Sequence, residues 1–125
     1  LGDVYKRQEQ AKWLSEIVKS PDFLDAKFKV VIAHMPPLPD QDLWHGQGEV
    51  LEKFVPILND AQVDVMLSGH LHQYFNNKPT DKVHFPVIDN SSNTVLKGVI
   101  EGNQLNMEVK NMNGEVIDKI SIMAK

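Results

Sequence analysis

The stretch VDVMLSGHLHQYF, residues 63–75, decides the fold, because it joins a short apolar run to a pair of histidines. Its first five residues, VDVML, are rich in β-branched and large apolar side chains, as is the run KVVIA at residues 29–33. Short runs of this kind are typical of strands buried in a parallel sheet. His34 directly follows the first run, and His70 and His72 follow the second. Since ligands collect at the carboxyl ends of parallel strands, we predict a functional site there.

Around these strands the sequence predicts an α/β fold. Apolar residues recur at helical spacing in residues 9–19 and again in residues 49–60, where Pro56 would kink or restart the helix. Ser20-Pro21 is predicted to end the first of these helices. Between the two apolar runs, residues 35–48 contain three prolines and two glycines, which is typical of a functional loop.

The C-terminal half of the chain has the character of a β-structure. Four segments are predicted to be strands: residues 83–89, 94–101, 104–110 and 116–123. Gly102-Asn103 and Asn113-Gly114 separate the last three of them and are hairpin signals, because glycine and asparagine tolerate positive φ in tight turns. We therefore predict a β-meander that closes the sheet.

Composition excludes several classes of function. With 125 residues, of which 42% are apolar and 24% charged, the chain has room for one globular domain. The absence of cysteine excludes thiolate catalysis, cysteine-ligated zinc and iron–sulfur clusters. The net charge of -4 and the lack of a basic patch argue against nucleic-acid specificity. No apolar run approaches the roughly 20 residues that cross a bilayer, so no membrane span is predicted.

The three histidines at the strand ends predict a metal site. His70 and His72 are two residues apart, so in an extended backbone both imidazoles project to the same side. Imidazole suits zinc, manganese or iron, and three histidines leave the identity of the ion open. Each histidine also has a plainer interpretation as a surface or hydrogen-bonded residue, which we expect for His84. His45, in the loop at residues 35–48, is a candidate substrate contact.

These motifs resemble the calcineurin-like metallophosphoesterase superfamily, and within it the purple-acid-phosphatase-like bacterial members. The matching features are QAKWL at residues 10–14, VVIAHMPP at 30–37 and VDVMLSGHLHQYF at 63–75. The resemblance implies the C-terminal half of a four-layer α/β/β/α metallophosphoesterase sandwich, in which two helices and parallel core strands are followed by a β-meander. It also implies a metal-dependent phosphoesterase that hydrolyses phosphate mono- or diesters through a two-metal-activated hydroxide.

The resemblance assigns roles to the histidines and shows what this chain lacks. His34 and His70 would ligate one ion and His72 the other, the two ions being divalent or trivalent manganese, iron or zinc. The earlier family motifs, Asp-x-His and Gly-Asn-His, are absent, and the one Gly-Asp is at residues 2–3. Those motifs supply the bridging carboxylate and the proton donor, so no catalytic residue is expected in this chain. We expect the isolated chain to be inactive, with the N-terminal half of the same domain as its partner and a phosphate ester as its substrate.

Three further expectations concern the ends of the chain, its compartment and its function class. Residues 1–8, LGDVYKRQ, look like a translated adapter sequence, so we expect a non-native end before the domain portion at residues 9–125. The compartment is open, with a periplasmic or secreted location favoured by the resemblance. The alternative to an enzyme is a non-catalytic β-rich module for metal binding or interaction. A cupin-like metal enzyme ranks last, because no carboxylate follows His72 within residues 73–77, QYFNN.

Overall fold

The computed structural model describes residues 2–37 and 48–125. Its helical elements are α1 Gly2–Ile17, α2 Pro21–Asp25, a π-helical turn Val50–Phe54 and α3 Val55–Asp60. Its strands are β1 Val30–Ile32, β2 Val65–Ser68, β3 Phe75–Asn77, β4 Val87–Asp89, β5 Thr94–Glu101, β6 Gln104–Asn111 and β7 Val116–Met123. This mixture confirms the predicted α/β class. Among the helices of the described ranges, none has the length and apolar character that crossing a membrane requires.

The first helix begins earlier than predicted and is followed by a short second one. α1 includes residues 2–8, which the sequence predicts to precede the domain, and no proline or glycine interrupts the chain from Asp3 to Ser20. Ser20 Oγ accepts a hydrogen bond from Phe23 N at 3.3 Å and so caps α2. Pro21 lies in the first turn of α2, where backbone N–H groups have no acceptor within the helix, so the absence of an N–H in proline costs no hydrogen bond. α1 already ends at Ile17, so the Ser-Pro pair starts the second helix and does not itself end the first.

Pro56 divides the second predicted helix into two parts. The π-helical turn precedes it, and α3 restarts with Pro56 in its first turn. Proline has no N–H to donate to the carbonyl four residues earlier, and its ring clashes with that carbonyl, so a regular helix does not continue through it. Val55 and Leu58 of α3 are buried, which holds the restarted helix on the sheet. The prediction that Pro56 kinks or restarts the helix is confirmed.

The first sheet has the strand order β1-β2-β4-β3. β1, β2 and β4 are parallel, and β3 lies antiparallel to β4 at the outer edge. The predicted strand at residues 83–89 is reduced to β4, because Pro86 cannot donate to a ladder and His84 N donates to Asn59 Oδ1 at 3.0 Å instead. The sequence does not predict β3, because its residues, FNN, show neither an apolar run nor alternation.

β1 is less buried than the run KVVIA predicts. It lies at one edge of the four-stranded sheet, and Ile32 is 81% exposed. A strand is fully buried only where it has a neighbouring strand on each side and a packed layer on each face. Within the described residues β1 has a neighbouring strand, β2, on one side only.

The last three strands form a separate antiparallel sheet with the order β5-β6-β7. The predicted meander is confirmed for these strands, and Gly102 and Gly114 take positive φ values of 60° and 82° at its turns. The prediction that the meander closes the parallel sheet is wrong. β3 already occupies the outer edge of β4, and the turn after β4, where Asn90 Nδ2 donates to Thr94 O at 3.1 Å, redirects the chain.

The two sheets pack face to face, and the helices cover the other side of the first sheet. One buried cluster joins the sheets: Val65, Ile88, Leu105 and Met107. Another joins α3 to the first sheet: Val55, Leu58, Met66 and Val87. Alternate residues of β2 and β4 thus face opposite layers, as the pleat of a strand requires. The described residues form three layers in the order α/β/β.

Candidate metal centre

Backbone hydrogen bonds hold the carboxyl ends of the three parallel strands at one edge of the first sheet. Gly69 N donates to His34 O at 3.0 Å, so the pairing of β1 with β2 continues past both strands. Asn90 N donates to Ser68 O at 2.8 Å, which does the same for β2 and β4. The residues that follow the three strands therefore lie side by side at the carboxyl end of the sheet, where the sequence predicts the site.

His34 and His70 meet at this edge. Nε2 of His34 lies 3.2 Å from Nδ1 of His70, and the ring centroids are 5.0 Å apart with the ring planes at 81°. Two imidazole nitrogens that bind one ion at about 2.0–2.1 Å with a tetrahedral angle lie about 3.3 Å from each other. His34 is exposed and His70 is half-buried, so an ion can reach the pair. The two side chains therefore fit the role of two ligands of a single metal ion.

The loop between β2 and β3 holds both of its histidines in a left-handed backbone conformation. φ is 73° at His70 and 61° at His72. Leu71 N donates to Gly69 O at 2.9 Å, which makes His70 the central residue of a γ-turn. Such conformations cost about 1–3 kcal/mol for residues other than glycine and are concentrated at functional sites. The expectation of an extended backbone with both rings on one side is wrong, because the turn directs His70 toward His34.

Asp89, which is not among the predicted site residues, lies close enough to His72 for the charge of the imidazole to lower the pKa of the carboxyl. No group of three or more histidine, aspartate or glutamate side chains within the described ranges is close enough to hold an ion together, so His72 does not join the histidine pair. Asp89 ends β4, is fully buried, and makes no hydrogen bond through either carboxylate oxygen in this part of the chain. An acidic residue at the end of an apolar strand is the sequence signal that could have identified it.

The surroundings of Asp89 favour its neutral form. Burial raises the pKa of Asp89 to about 6, although the nearby hydroxyl of Ser68 and the imidazole of His72 both lower it. Ser68 Oγ is itself buried and, within the described residues, makes no hydrogen bond. The adjacent ends of β2 and β4 thus contain two buried polar side chains, Ser68 and Asp89, that make no hydrogen bond within the described residues.

The two remaining histidines of interest differ in what the structure shows. His45 lies outside the described residues, so its contact with substrate stays a prediction. His84 is exposed, and its Nε2 lies 3.0 Å from the carbonyl oxygen of Asp81, as expected for a structural histidine. The assignment of His34, His70 and His72 as metal ligands also stays a prediction.

Tyr74 connects the histidine loop to the second sheet. Its hydroxyl donates to Asp118 Oδ2 on β7 at 2.6 Å, and Asn76 Nδ2 donates to the same oxygen at 3.3 Å. Burial, followed by the hydrogen bond and the charge of Asp118, raises the pKa of Tyr74 well above its usual range. The hydrogen bond from Tyr74 in turn lowers the pKa of Asp118. The phenol therefore stays a neutral donor and ties the loop to a neighbouring layer.

A protein-family model matches the part of the chain that contains the strand-end histidines. The model of the calcineurin-like phosphoesterase family matches residues 2–74, which are more than half of the chain. The chain belongs to the calcineurin-like phosphoesterase family. The matched range extends from α1 to the end of the histidine loop, so it includes every part of the candidate centre except Asp89. The resemblance stated from the motifs is confirmed at the level of the superfamily.

Two purple acid phosphatases of Arabidopsis thaliana are similar to this calcineurin-like phosphoesterase. Purple acid phosphatase 22 is 31% identical over 90 residues, which are 65% of this chain and 21% of the relative. Purple acid phosphatase 21 is 32% identical over 72 residues, which are 57% of this chain and 16% of the relative. The chain therefore spans about a fifth of the length of these relatives. Both are plant proteins, so the likeness to bacterial members stays a prediction.

Proposed function

We propose that this chain is the C-terminal part of a metal-dependent phosphoesterase that hydrolyses phosphate mono- or diesters with two metal ions. The observation that carries the proposal is the separation of 3.2 Å between His34 Nε2 and His70 Nδ1, at the ends of adjacent parallel strands. Membership of a phosphoesterase family and similarity to two proteins named purple acid phosphatases support the reaction class.

The histidines of this chain would act as ligands of the metal ions. His34 and His70 would hold one ion, and His72 would contribute to the second; manganese, iron and zinc all suit imidazole. When bound, such ions supply positive charge to the phosphoryl oxygens and activate the attacking water. Neutral imidazoles suit this role because they donate lone pairs without cancelling the charge of the metal. We propose His45 as a contact to the substrate.

The isolated chain is proposed to be inactive. The family motifs that supply the bridging carboxylate and the proton donor are absent from these 125 residues. We propose that the N-terminal half of the domain packs beside the open edge of β1 and supplies these groups together with a fourth layer, which would complete the α/β/β/α sandwich. A periplasmic or secreted location belongs to the same proposal.

A phosphatase assay tests the proposal on a longer protein that contains this chain and the N-terminal half of the domain. We expect hydrolysis of a nitrophenyl phosphate monoester or diester with added Mn²⁺ or Zn²⁺, and loss of this activity in the variant His70→Ala/His72→Ala. His84→Ala is the matched control, because His84 is exposed and lies outside the candidate centre. Full activity of the double variant would contradict the proposal. A folded, inactive wild-type protein would favour the non-catalytic β-rich module.

A further inference from the structure

Asp89 has a buried carboxylate for which the described fold provides no hydrogen-bond partner. It is 0% exposed and lies at the end of β4, between Ser68 of β2 and Phe75 of β3. Both of its oxygens are without a hydrogen bond in the described residues. Burial of an unpaired carboxylate is strongly unfavourable, and an asparagine or an apolar residue would occupy the position at lower cost. The fold alone therefore does not explain an aspartate here.

The surroundings of Asp89 offer one cationic partner. Ser68, its neighbour on β2, is neutral. On its other side Asp89 pairs with Phe75, three residues after His72, and the charge of the His72 imidazole lowers the pKa of the carboxyl. His72 lies in the loop directly above the strand ends, where its left-handed φ of 61° fixes the direction in which the ring leaves the backbone. His72 is exposed, so an ion from solvent can reach it.

We propose that Asp89 is a positioning residue for His72: its carboxylate accepts a hydrogen bond from one imidazole nitrogen while the other nitrogen binds a metal ion. This inference rests on the proposed function, because it requires His72 to be a metal ligand. A histidine bound to a metal usually donates its second N–H to a carboxylate, a carbonyl or water, which fixes its tautomer and orientation. The positive charge of the metal-bound ring would provide the buried carboxylate with its missing partner.

Titration with Zn²⁺ of the longer protein that contains this chain and the N-terminal half of the domain, followed by long-range ¹H–¹⁵N NMR spectra of the histidine rings, tests this inference. In the wild-type longer protein we expect Zn²⁺ to shift the ring of His72 and to select one tautomer. In Asp89→Asn, the zinc affinity measured at His72 should fall about 10- to 100-fold, with a mixture of tautomers. The affinity measured at His34 and His70 should stay the same and serves as an internal control.

Thermal unfolding without metal separates a positioning role from a structural one. The midpoint of Asp89→Asn should equal or exceed that of the wild-type chain, because the substitution removes an unpaired buried charge. Asp64→Asn is the matched control: Asp64 is also buried, but it precedes β2 and its charge has partners, since Oδ2 accepts a hydrogen bond from Lys29 N at 2.8 Å and Oδ1 lies 3.9 Å from Lys125 Nζ. It should lower the midpoint and leave zinc binding unchanged. Asp89→Ser repeats the test with a smaller polar side chain.

Each outcome leads to a decision. If Asp89→Asn leaves the tautomer and zinc affinity of His72 unchanged while His34 and His70 bind zinc, the inference is wrong and the proposed function stands. If the variant weakens zinc binding equally at all three histidines and lowers the midpoint, Asp89 is only structural and the inference is again wrong. If zinc shifts none of the three rings in the wild-type longer protein, which contains both halves of the domain, the proposed function and the inference both fail.

Discussion

His70 shows how a metal ligand can be aimed by an unfavourable backbone conformation. Its φ of 73° is maintained because both sides of the turn are held: Gly69 N bonds to His34 O, and Leu71 packs into the core beneath the helices. Gly69, the residue before His70, has no positive φ. The sequence shows that His70 and His72 are two residues apart. It does not predict the positive φ of His70, because this conformation depends on contacts with residues distant in the chain.

Replacement of His70 by glycine is expected to preserve or raise the stability of the metal-free chain. Glycine adopts positive φ without steric cost, so relief of strain should offset both its larger entropy in the unfolded state and the loss of the exposed contact between the His70 and His34 rings. The free energy of unfolding from urea titrations should therefore change by between zero and about +1 kcal/mol. The same variant should lose zinc binding at His34, because the second nitrogen of the pair is removed.

His84→Gly is the control for this prediction. His84 is exposed and has no positive φ, so a glycine there relieves no strain. The larger entropy of glycine in the unfolded chain should lower the free energy of unfolding by about 0.5–1 kcal/mol. The free energy of unfolding should therefore fall for His84→Gly and stay the same or rise for His70→Gly. Equal losses at positions 70 and 84 would show that the backbone at His70 is not strained.

The candidate centre could be predicted from the sequence only where strand and ligand are neighbours in the chain. His34, His70 and His72 directly follow apolar runs, so their place at the carboxyl edge of the sheet follows from local patterns. Asp89 belongs to a strand that pairs with β2 across about 20 intervening residues. Its place at the end of an apolar run is a local signal, but its burial and its relation to His72 depend on that pairing, which no local pattern encodes.

At the scale of the elements, local turn chemistry is more predictable than non-local strand pairing. β5, β6 and β7 have bounds within one residue of the prediction, because Gly102 and Gly114 mark their turns. β3 and β4 have only three residues each, and their position depends on pairing with one another and with β2. The meander could therefore be predicted as a unit, whereas its separation from the parallel sheet could not.

Tyr74→Phe should destabilise the chain in a pH-dependent way. Tyr74 and Asn76 donate to Asp118, and together with the backbone N–H of Lys119 and the charge of Lys78 they lower the pKa of this carboxyl against the opposing effect of burial. Such a carboxyl stabilises the fold above its unfolded pKa of about 3.9, and the contribution is lost as pH falls through the lower folded pKa. We expect a loss of about 1 kcal/mol at pH 7 and a smaller loss at low pH.

Urea unfolding of the wild-type chain and the variant, from neutral pH to below the pKa of Asp118, measures this difference. Asp118→Asn provides the control, because an amide accepts the hydrogen bond of Tyr74 without titrating. In the Asp118→Asn variant, Tyr74→Phe should lower the free energy of unfolding by the same amount at every pH. A cost that is independent of pH in the wild-type background would show that the charge of Asp118 does not contribute to the contact.

At the scale of the whole molecule, the described chain leaves one side of its first sheet open. β1 is an edge strand, and Ile32 is 81% and Val30 44% exposed. An apolar groove of about 730 Å³ lies between α1 and β1, and both Ile32 and Trp13, which is 60% exposed, line it. An exposed apolar edge strand is a template for pairing with another chain. This is the face that we propose the rest of the domain covers.

In the absence of that covering segment, we predict that the chain associates with itself through β1. The unpaired N–H and C=O groups of an edge strand favour addition of a second strand, and Ile32 provides apolar area for it. Ile32→Lys should shift sedimentation velocity profiles toward the monomer, because a charged side chain opposes edge-to-edge pairing. Val95→Lys is the matched control: Val95 is also exposed, at 57%, but its strand β5 already carries Lys97. A wild-type chain that is monodisperse, monomeric and high-melting would contradict the prediction, since it would show that three layers suffice to satisfy this edge.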